Sequence, residues 1–382
     1  MSKVGIEIKS NEIAQEAERT LLKRLPLNIS GYKCNAAMLY QVLIYAAVTQ
    51  QAIETVCQAL SGVVSGQTIR THLNTCFNIE QLDLLEGQIN QLLAGQLSRS
   101  WRRRRLSLAI DYHDEPYWGQ SEALLPYTCG GQADQGTTRF FRVATLYTVH
   151  QGERLTLACL FVRPEDAHEQ VVNDLLYRLF QLGLRVRRVC LDRGFCSVAV
   201  CQLIEATGLT AIIACPLRGQ KGGTRALCKG RKSRRTTYTF YARTKQAYEV
   251  PMVVVRTYST RKKRRHKAQW LLFVSLNNQS PPLTIKRWYR QRFGIESSYR
   301  LMRQNKAMTK SQNAALRFLL IALAFFLVNL WVALQQRHRH LCPDPKTLRL
   351  FTRRFSLNLF RSFLKLALET LYPPSSTLAL LI

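Results

Sequence analysis

The 382-residue sequence predicts a mixed α/β fold, with a sheet-bearing core set between two helical regions. Three stretches predict it. Residues 1–100 carry apolar side chains at helical spacing, residues 106–216 alternate short apolar runs with amphipathic segments, and residues 284–371 return to helical periodicity.

In the first stretch, Ala36 to Val48 and Gln51 to Leu60 read as helices, Ser61-Gly62 breaks the pattern, and Gly66 to Leu73 forms a third helix. Two short helices across a glycine turn fit a helix-turn-helix, with Gln67, Thr68, Arg70 and His72 on the exposed face of the second. A further helix spans Ile79 to Leu97, and the basic patch Arg102 to Arg105 follows. The texture then changes. Leu106 to Asp111, Phe140 to Val149 and Leu155 to Val162 read as strands, the last two joined by a hairpin turn at Gln151-Gly152-Glu153. A helix opens at Pro164-Glu165-Asp166 and runs to about Leu182. Arg188 to Asp192 is a strand, Ser197 to Thr207 a helix, and Thr210 to Cys215 a strand. Three strands, a helix, a strand, a helix and a strand describe a mixed sheet of the RNase H kind.

Residues 217–277 interrupt this order as a basic, β-rich insertion. Gly219 to Arg235 and Arg261 to Arg265 supply its charge; Thr237 to Tyr241, Val250 to Tyr258 and Trp270 to Leu276 supply strands, the last of them available to the core. A helix from Thr284 to about Lys306 and an apolar helix from Ala314 make up residues 278–337. A basic amphipathic tail, 338–382, follows. The expected regions are therefore 1–100, 101–216, 217–277, 278–337 and 338–382.

Charge narrows the partner. Fifty-five Lys and Arg against 24 Asp and Glu give a net +31, so polyanions are favoured: nucleic acid first, an anionic membrane surface second. Phe318 to Val328 is wholly apolar, but this run is shorter than the roughly 18–20 residues that a bilayer core requires, and Arg317 and Asn329 bracket it. It reads as a buried core helix, and no membrane is expected. The 11 cysteines show no zinc-finger spacing, which points to reduced thiols in a cytosolic protein, and residues 1–25 do not read as a signal peptide.

An α/β sheet with a cationic surface suggests phosphodiester chemistry, in which carboxylates hold two hard divalent cations. Asp111 closes the run Leu108-Ala109-Ile110, and Asp192 closes Val189-Cys190-Leu191. In an RNase H-like sheet those strands are neighbours. The helix from Thr284 brings a third carboxylate: at about 100° per residue, Tyr289, Arg292, Glu296 and Arg303 share a stripe, with Arg300 alongside. Trp288, Ile295 and Met302 form an adjacent apolar stripe able to pack on the sheet. Asp114 and Glu115 are alternatives or assistants to Asp111.

The run Tyr289-x-x-Arg292-x-x-x-Glu296-x-x-x-x-x-x-Arg303 resembles the tyrosine–arginine–glutamate–lysine signature of insertion-sequence transposases of the DDE type, in particular the insertion-sequence-four group and its halobacterial relatives. Ile110-Asp111-Tyr112-His113-Asp114 with Pro116-Tyr117-Trp118-Gly119 resembles their first-aspartate region, and Asp192-Arg193-Gly194-Phe195 their second. The resemblance covers about residues 106–335, and a β-rich insertion at this point is a habit of the group. One position departs: the signature lysine is Arg303, a planar fork in place of a point charge, and Lys306 is placed to share its role.

The resemblance implies a DNA transposase whose Asp111, Asp192 and Glu296 are catalytic and bind two Mg²⁺ ions, with Mn²⁺ as a substitute. Tyr289, Arg292, Arg303, Lys306, Arg300 and Arg193 would hold DNA. It further implies terminal inverted repeats and target DNA as partners, a homodimer assembled on DNA, and a bacterial or archaeal cytoplasmic, nucleoid-associated location. Two rival readings share these features: an RNase H-like metal-dependent nuclease without strand transfer, and an inactive DNA-binding relative.

Overall fold

Two apolar runs fix the centre of the fold: β1 (Arg105–Pro116) and β5 (Arg185–Leu191) pair in parallel up to Ile110 opposite Leu191. The computed structural model describes residues 6–29, 31, 33–150, 154–220, 222–241, 246–258 and 268–375. On one side of β1 lies β3 (Thr137–Thr148), antiparallel, which in turn pairs with β2 (Cys129–Asp134) and β4 (Thr156–Val162). On the other side of β5 comes β6 (Ala211–Cys215), parallel. The run β4-β3-β1-β5-β6 is the expected RNase H-like core. The insertion extends it: β9 (Ala268–Leu276) pairs with β6, β8 (Ala247–Tyr258) with β9, and β7 (Arg234–Tyr241) with β8, completing a nine-stranded mixed sheet. The turns expected at 151–153 and 261–265 lie outside the described residues.

Helices cover both faces. Before the sheet come α1 (Ser10–Arg24), α2 (Ala36–Thr49), α3 (Ile53–Ala59), α4 (Gly66–Cys76), α5 (Leu82–Ala94) and the short α6 (Arg99–Arg103). Within it lie α7 (His168–Gln181) and α8 (Val198–Ala206), and after it α9 (Pro282–Arg290), α10 (Gly294–Arg303), α11 (Ala314–His338), α12 (Pro345–Arg354) and α13 (Leu357–Leu371). Strand alternation separates two cores. Leu108, Ile110, Val189 and Leu191 point to α7 and α8. Ala109, Tyr147, Cys190 and Ile212 point to the other face, where α11 packs with helices from both ends of the chain. Asp111, two residues after Ala109, points to that second face.

The structure refines several expected elements. The first strand does not stop at Asp111: β3 keeps pairing as far as Phe140 opposite Pro116, so β1 outruns its contact with β5 by six residues. The hairpin of β2 and β3, turning at Gln135-Gly136 with both φ positive, has no apolar run to announce it. The long helix expected from Thr284 is interrupted by a 3₁₀ segment, Gln291–Phe293. Between α3 and α4, Gly66 is required because a Cβ there would meet the Glu54 Cα at 2.8 Å.

α11 is long and apolar enough to cross a membrane, yet 89% of its most apolar window is buried inside the protein. Its Asn329 explains why. β4 is an outer strand of the core, with backbone groups left over, and Asn329 bonds both the Thr156 N–H (2.9 Å) and its carbonyl (2.7 Å). Asn90 on α5 does the same for Cys159 at 2.7 and 3.0 Å, and Glu86 accepts from the Phe161 N–H at 2.9 Å. Side chains from two helices thus stand in for the missing neighbour strand. Asn329→Leu should lower stability by about 2–3 kcal/mol, because Thr156 keeps two buried polar groups without partners. A urea midpoint equal to that of the wild type would overturn this account of the edge.

Candidate active site

The parallel register sets the geometry. Ile110 and Leu191 are the last paired residues of β1 and β5, so Asp111 and Asp192 follow at the same level on adjacent strands. Two carboxylates so placed repel each other, and the structure answers with a cation. Arg292 Nη1 donates to Asp111 Oδ2 at 2.6 Å and its Nη2 donates to Asp192 Oδ1 at 3.0 Å. The Tyr289 hydroxyl adds a longer bond to Asp192 at 3.4 Å. Exposure falls from 34% for the Asp192 side chain to 16% for Asp111 and 8% for Arg292, so the guanidinium lies innermost. Burial is the main force on Asp111 and raises its carboxyl to about 6, against the attraction of Arg292 and with the help of Asp192. Arg292 itself, despite burial, is held cationic by Asp111, Tyr289 and Asp192.

Arg292 lies in the 3₁₀ segment that separates α9 from α10, and its side chain points inward. The expected stripe splits. Tyr289 and Arg292 turn to the aspartates, while Glu296, Arg300 and Arg303 are exposed. The Tyr147 hydroxyl donates to the Arg292 carbonyl at 2.7 Å and pins the turn. Gly294 leaves room for Arg154, whose guanidinium carbon lies 2.6 Å from where a Cβ would sit. Sequence reasoning singled out neither Tyr147 nor Arg154. An aromatic on the inward face of β3 was the available signal for the first; the second had none.

The structure thus brings Asp111 and Asp192 together and does not bring Glu296 to them. Among the described residues no three His, Cys, Asp or Glu side chains form a metal-binding group, and Glu296 has no hydrogen-bond or ion-pair partner. The two aspartates nonetheless fit a hard divalent ion: they are neighbouring oxygen donors already gathered around positive charge. Glu296 lies one helical turn beyond Arg292, on α10, with its side chain exposed.

The neighbours of Asp111 are otherwise engaged. Asp114, on the opposite face of β1, takes both Arg142 nitrogens at 2.7 and 2.9 Å. Glu115 shares the Asp111 face and pairs with Lys306. Lys306 is therefore turned inward, whereas Arg193, Arg300 and Arg303 are exposed, with no ion-pair partner among the described residues. In the region expected as a helix-turn-helix, Arg70 donates to Gln67 Oε1 at 2.7 Å and lies 3.1 Å from Glu54, so both exposed residues of that face are tied to neighbours. In the insertion, Arg234, Arg235 and Arg256 donate to backbone carbonyls, so part of its positive charge braces loops.

A sequence-family profile described as a transposase DDE domain matches residues 120–328, more than half of the chain. The chain belongs to this family of DDE transposases. The matched span includes Asp192, Arg292 and Glu296 and begins after Asp111. A cryo-EM structure of the piggyBac transposase synaptic complex with hairpin DNA superimposes with a TM-score of 0.53 at 13% identity, covering 96% of this chain and 80% of that one. At that identity the likeness concerns the fold. No curated protein sequence matches the chain.

In this transposase the Glu115–Lys306 pair carries its own pH signature. Burial works to raise the Glu115 carboxyl, but His113 and Lys306 outweigh it and bring it down to about 2. His113 Nε2 stands 3.7 Å from Glu115, too far for a hydrogen bond, and burial keeps the ring neutral, so Lys306 is the effective partner. A depressed carboxyl stabilises the fold above its ordinary range near 4.5, and that contribution is lost as pH falls toward 2. Glu115→Gln should cost on the order of 2 kcal/mol at pH 7. The cost should shrink through the window from 4.5 to 2, read as the difference in thermal midpoint from the wild type. A difference that does not change with pH would exclude the pair as its source.

Proposed function

We propose that this transposase cleaves DNA at the ends of an insertion sequence and joins the freed ends to target DNA, using Asp111, Asp192 and Glu296. The single observation that carries the reading is the pair of aspartates side by side at the level where β1 and β5 part, clamped by one arginine. Membership of the insertion-sequence-four group is supported by the Tyr289-Arg292-Glu296-Arg303 run and by an insertion between β6 and α9.

The three carboxylates would hold two Mg²⁺ ions, or Mn²⁺ in their place. Bound there, the ions supply charge neutralisation, a nucleophile at neutral pH and stabilisation of the leaving oxygen. The chain's own residues do the rest. Arg292, once its aspartates are otherwise neutralised, has a planar fork free for non-bridging phosphate oxygens. Tyr289 orients the same phosphate, and the exposed Arg193, Arg300 and Arg303 hold its neighbours. Lys306 keeps Glu115 ionised and out of the site. In the first step water attacks phosphorus, a P–O bond breaks, and a 3′-OH is released. In the second, that 3′-OH attacks a target phosphate: one phosphodiester bond forms as another breaks, and the target's own 3′-oxygen leaves with a proton. Terminal inverted repeats are the substrate, and a homodimer on two paired ends is the working assembly.

Asp192→Asn and Glu296→Gln should each reduce cleavage of terminal-repeat DNA by a factor on the order of 10³ or more. Pre-cleaved ends should yield strand-transfer product; nicked product alone would leave a nuclease. Wild-type cleavage in both variants would refute the assignment. Because Asp111 titrates near 6, its carboxylate must lose a proton for metal to bind below that pH. Mn²⁺ affinity should therefore fall about tenfold per pH unit under pH 6, with proton release. Calorimetry in buffers of different ionisation heat reads both; an affinity flat from pH 5 to 8 would remove Asp111 from the ligands.

A further inference from the structure

A second cationic feature lies deeper along β5 and is used by none of the steps above. Arg188 is only 4% exposed, forms no ion pair among the described residues, and its Nε is buried without a hydrogen-bond partner. Its guanidinium carbon stacks 4.1 Å from the Trp288 ring centre, and Nη2 reaches Gln291 Oε1 at 3.4 Å. A buried guanidinium ordinarily finds a carboxylate. Here its charged neighbours are Arg187 and Arg287, and burial, aided by their repulsion, lowers its basicity to about 10.

The backbone is shaped to produce this crowding. Leu106 pairs with Val186 but Ser107 with Arg188, so Arg187 is an extra residue bulged out of a parallel ladder. A bulge re-aims side chains, and such devices collect beside functional sites. Its effect is to send Arg187 outward and Arg188 beneath α9, on the same face of β5 as Cys190 and Asp192. Beside it an open groove of about 520 Å³ is lined by Leu283, Lys286, Arg287, Arg290 and Gln291. Gln291 belongs to both, accepting from Arg188 and lining the groove. Stacking on Trp288 is worth at most about 2 kcal/mol and leaves Nε unsatisfied. It does not account for three arginines gathered with no carboxylate partner among the described residues.

We propose that Arg188, Arg187 and Arg287 form a second phosphate site, which takes a DNA backbone phosphate about 13 Å along β5 from Asp192. The arrangement suits a tetrahedral anion: a rigid fork from below and two exposed forks from the rim, each able to donate to a separate oxygen. The spacing is well inside one duplex turn of about 34 Å, so one DNA strand spans both sites. The site fixes how the strand enters the active centre. It rests on the reading of DNA as this protein's substrate.

The test is the salt dependence of binding of the full chain to a labelled random-sequence DNA duplex, followed by anisotropy between about 50 and about 200 mM KCl. Arg188→Met and Arg287→Gln should each flatten the plot of log K against log salt. The double variant should flatten it by about 0.9 in total, the value of one phosphate. Arg188→Met should also keep or raise the thermal midpoint, since it removes crowded like charge. A merely structural arginine would give the reverse, a lowered midpoint with the wild-type slope, and that result overturns the site. If Arg188→Met does not fold, Arg287→Gln, an exposed substitution, decides: an unchanged slope rejects the site. A wild-type chain that binds no duplex would instead overturn the DNA reading, and the site with it.

Discussion

Placing two carboxylates on adjacent strands at one level creates a repulsion that the surrounding structure must contain. At β1 and β5 the containment is Arg292, and much of the local architecture serves to deliver it. Arg292 sits in a 3₁₀ turn between α9 and α10, Tyr147 pins the carbonyl of that turn, and α11 packs behind on the same face of the sheet. The raised carboxyl of Asp111 measures the residual cost of the arrangement. Two half-buried acids so close together are held in place by the cation between them.

The same logic of polar groups made to balance recurs at the edge of the sheet. β4 has the backbone of a strand that expects a neighbour, and Asn329, Asn90 and Glu86 replace it. These residues explain a helix that looks like a membrane span and is not placed as one. α11 must be apolar because it is enclosed, and it must carry one asparagine because it faces an edge.

Much of this was legible in the sequence. Alternating apolar runs identified the core strands and their order, and the adjacency of Asp111 and Asp192 followed from the sheet type. What periodicity could not show was where helical winding changes. A continuous helix from Thr284 puts Tyr289, Arg292 and Glu296 on one stripe; in the structure a 3₁₀ turn interrupts that helix and Glu296 is exposed while Arg292 is buried, and no proline or glycine marks the turn's first residues. Glu296 was thus read correctly as to its helix and not as to its direction. Likewise β2, short and polar, offered no alternation to detect, and the bulge at Arg187 is invisible without a partner strand. Long-range pairing, which sets each of these, is the term that local pattern lacks.

The cover of β4 has a consequence in time. Asn329 follows Thr156 by 173 residues, and at a synthesis rate of about 5–20 residues per second that interval lasts roughly 10–35 s. Throughout it, α5 is already made and can serve Cys159 and Phe161, but the Thr156 N–H and carbonyl wait for a helix that has not yet been synthesised. The two halves of the β4 cover therefore form at different times in synthesis, the α5 half first and the α11 half last.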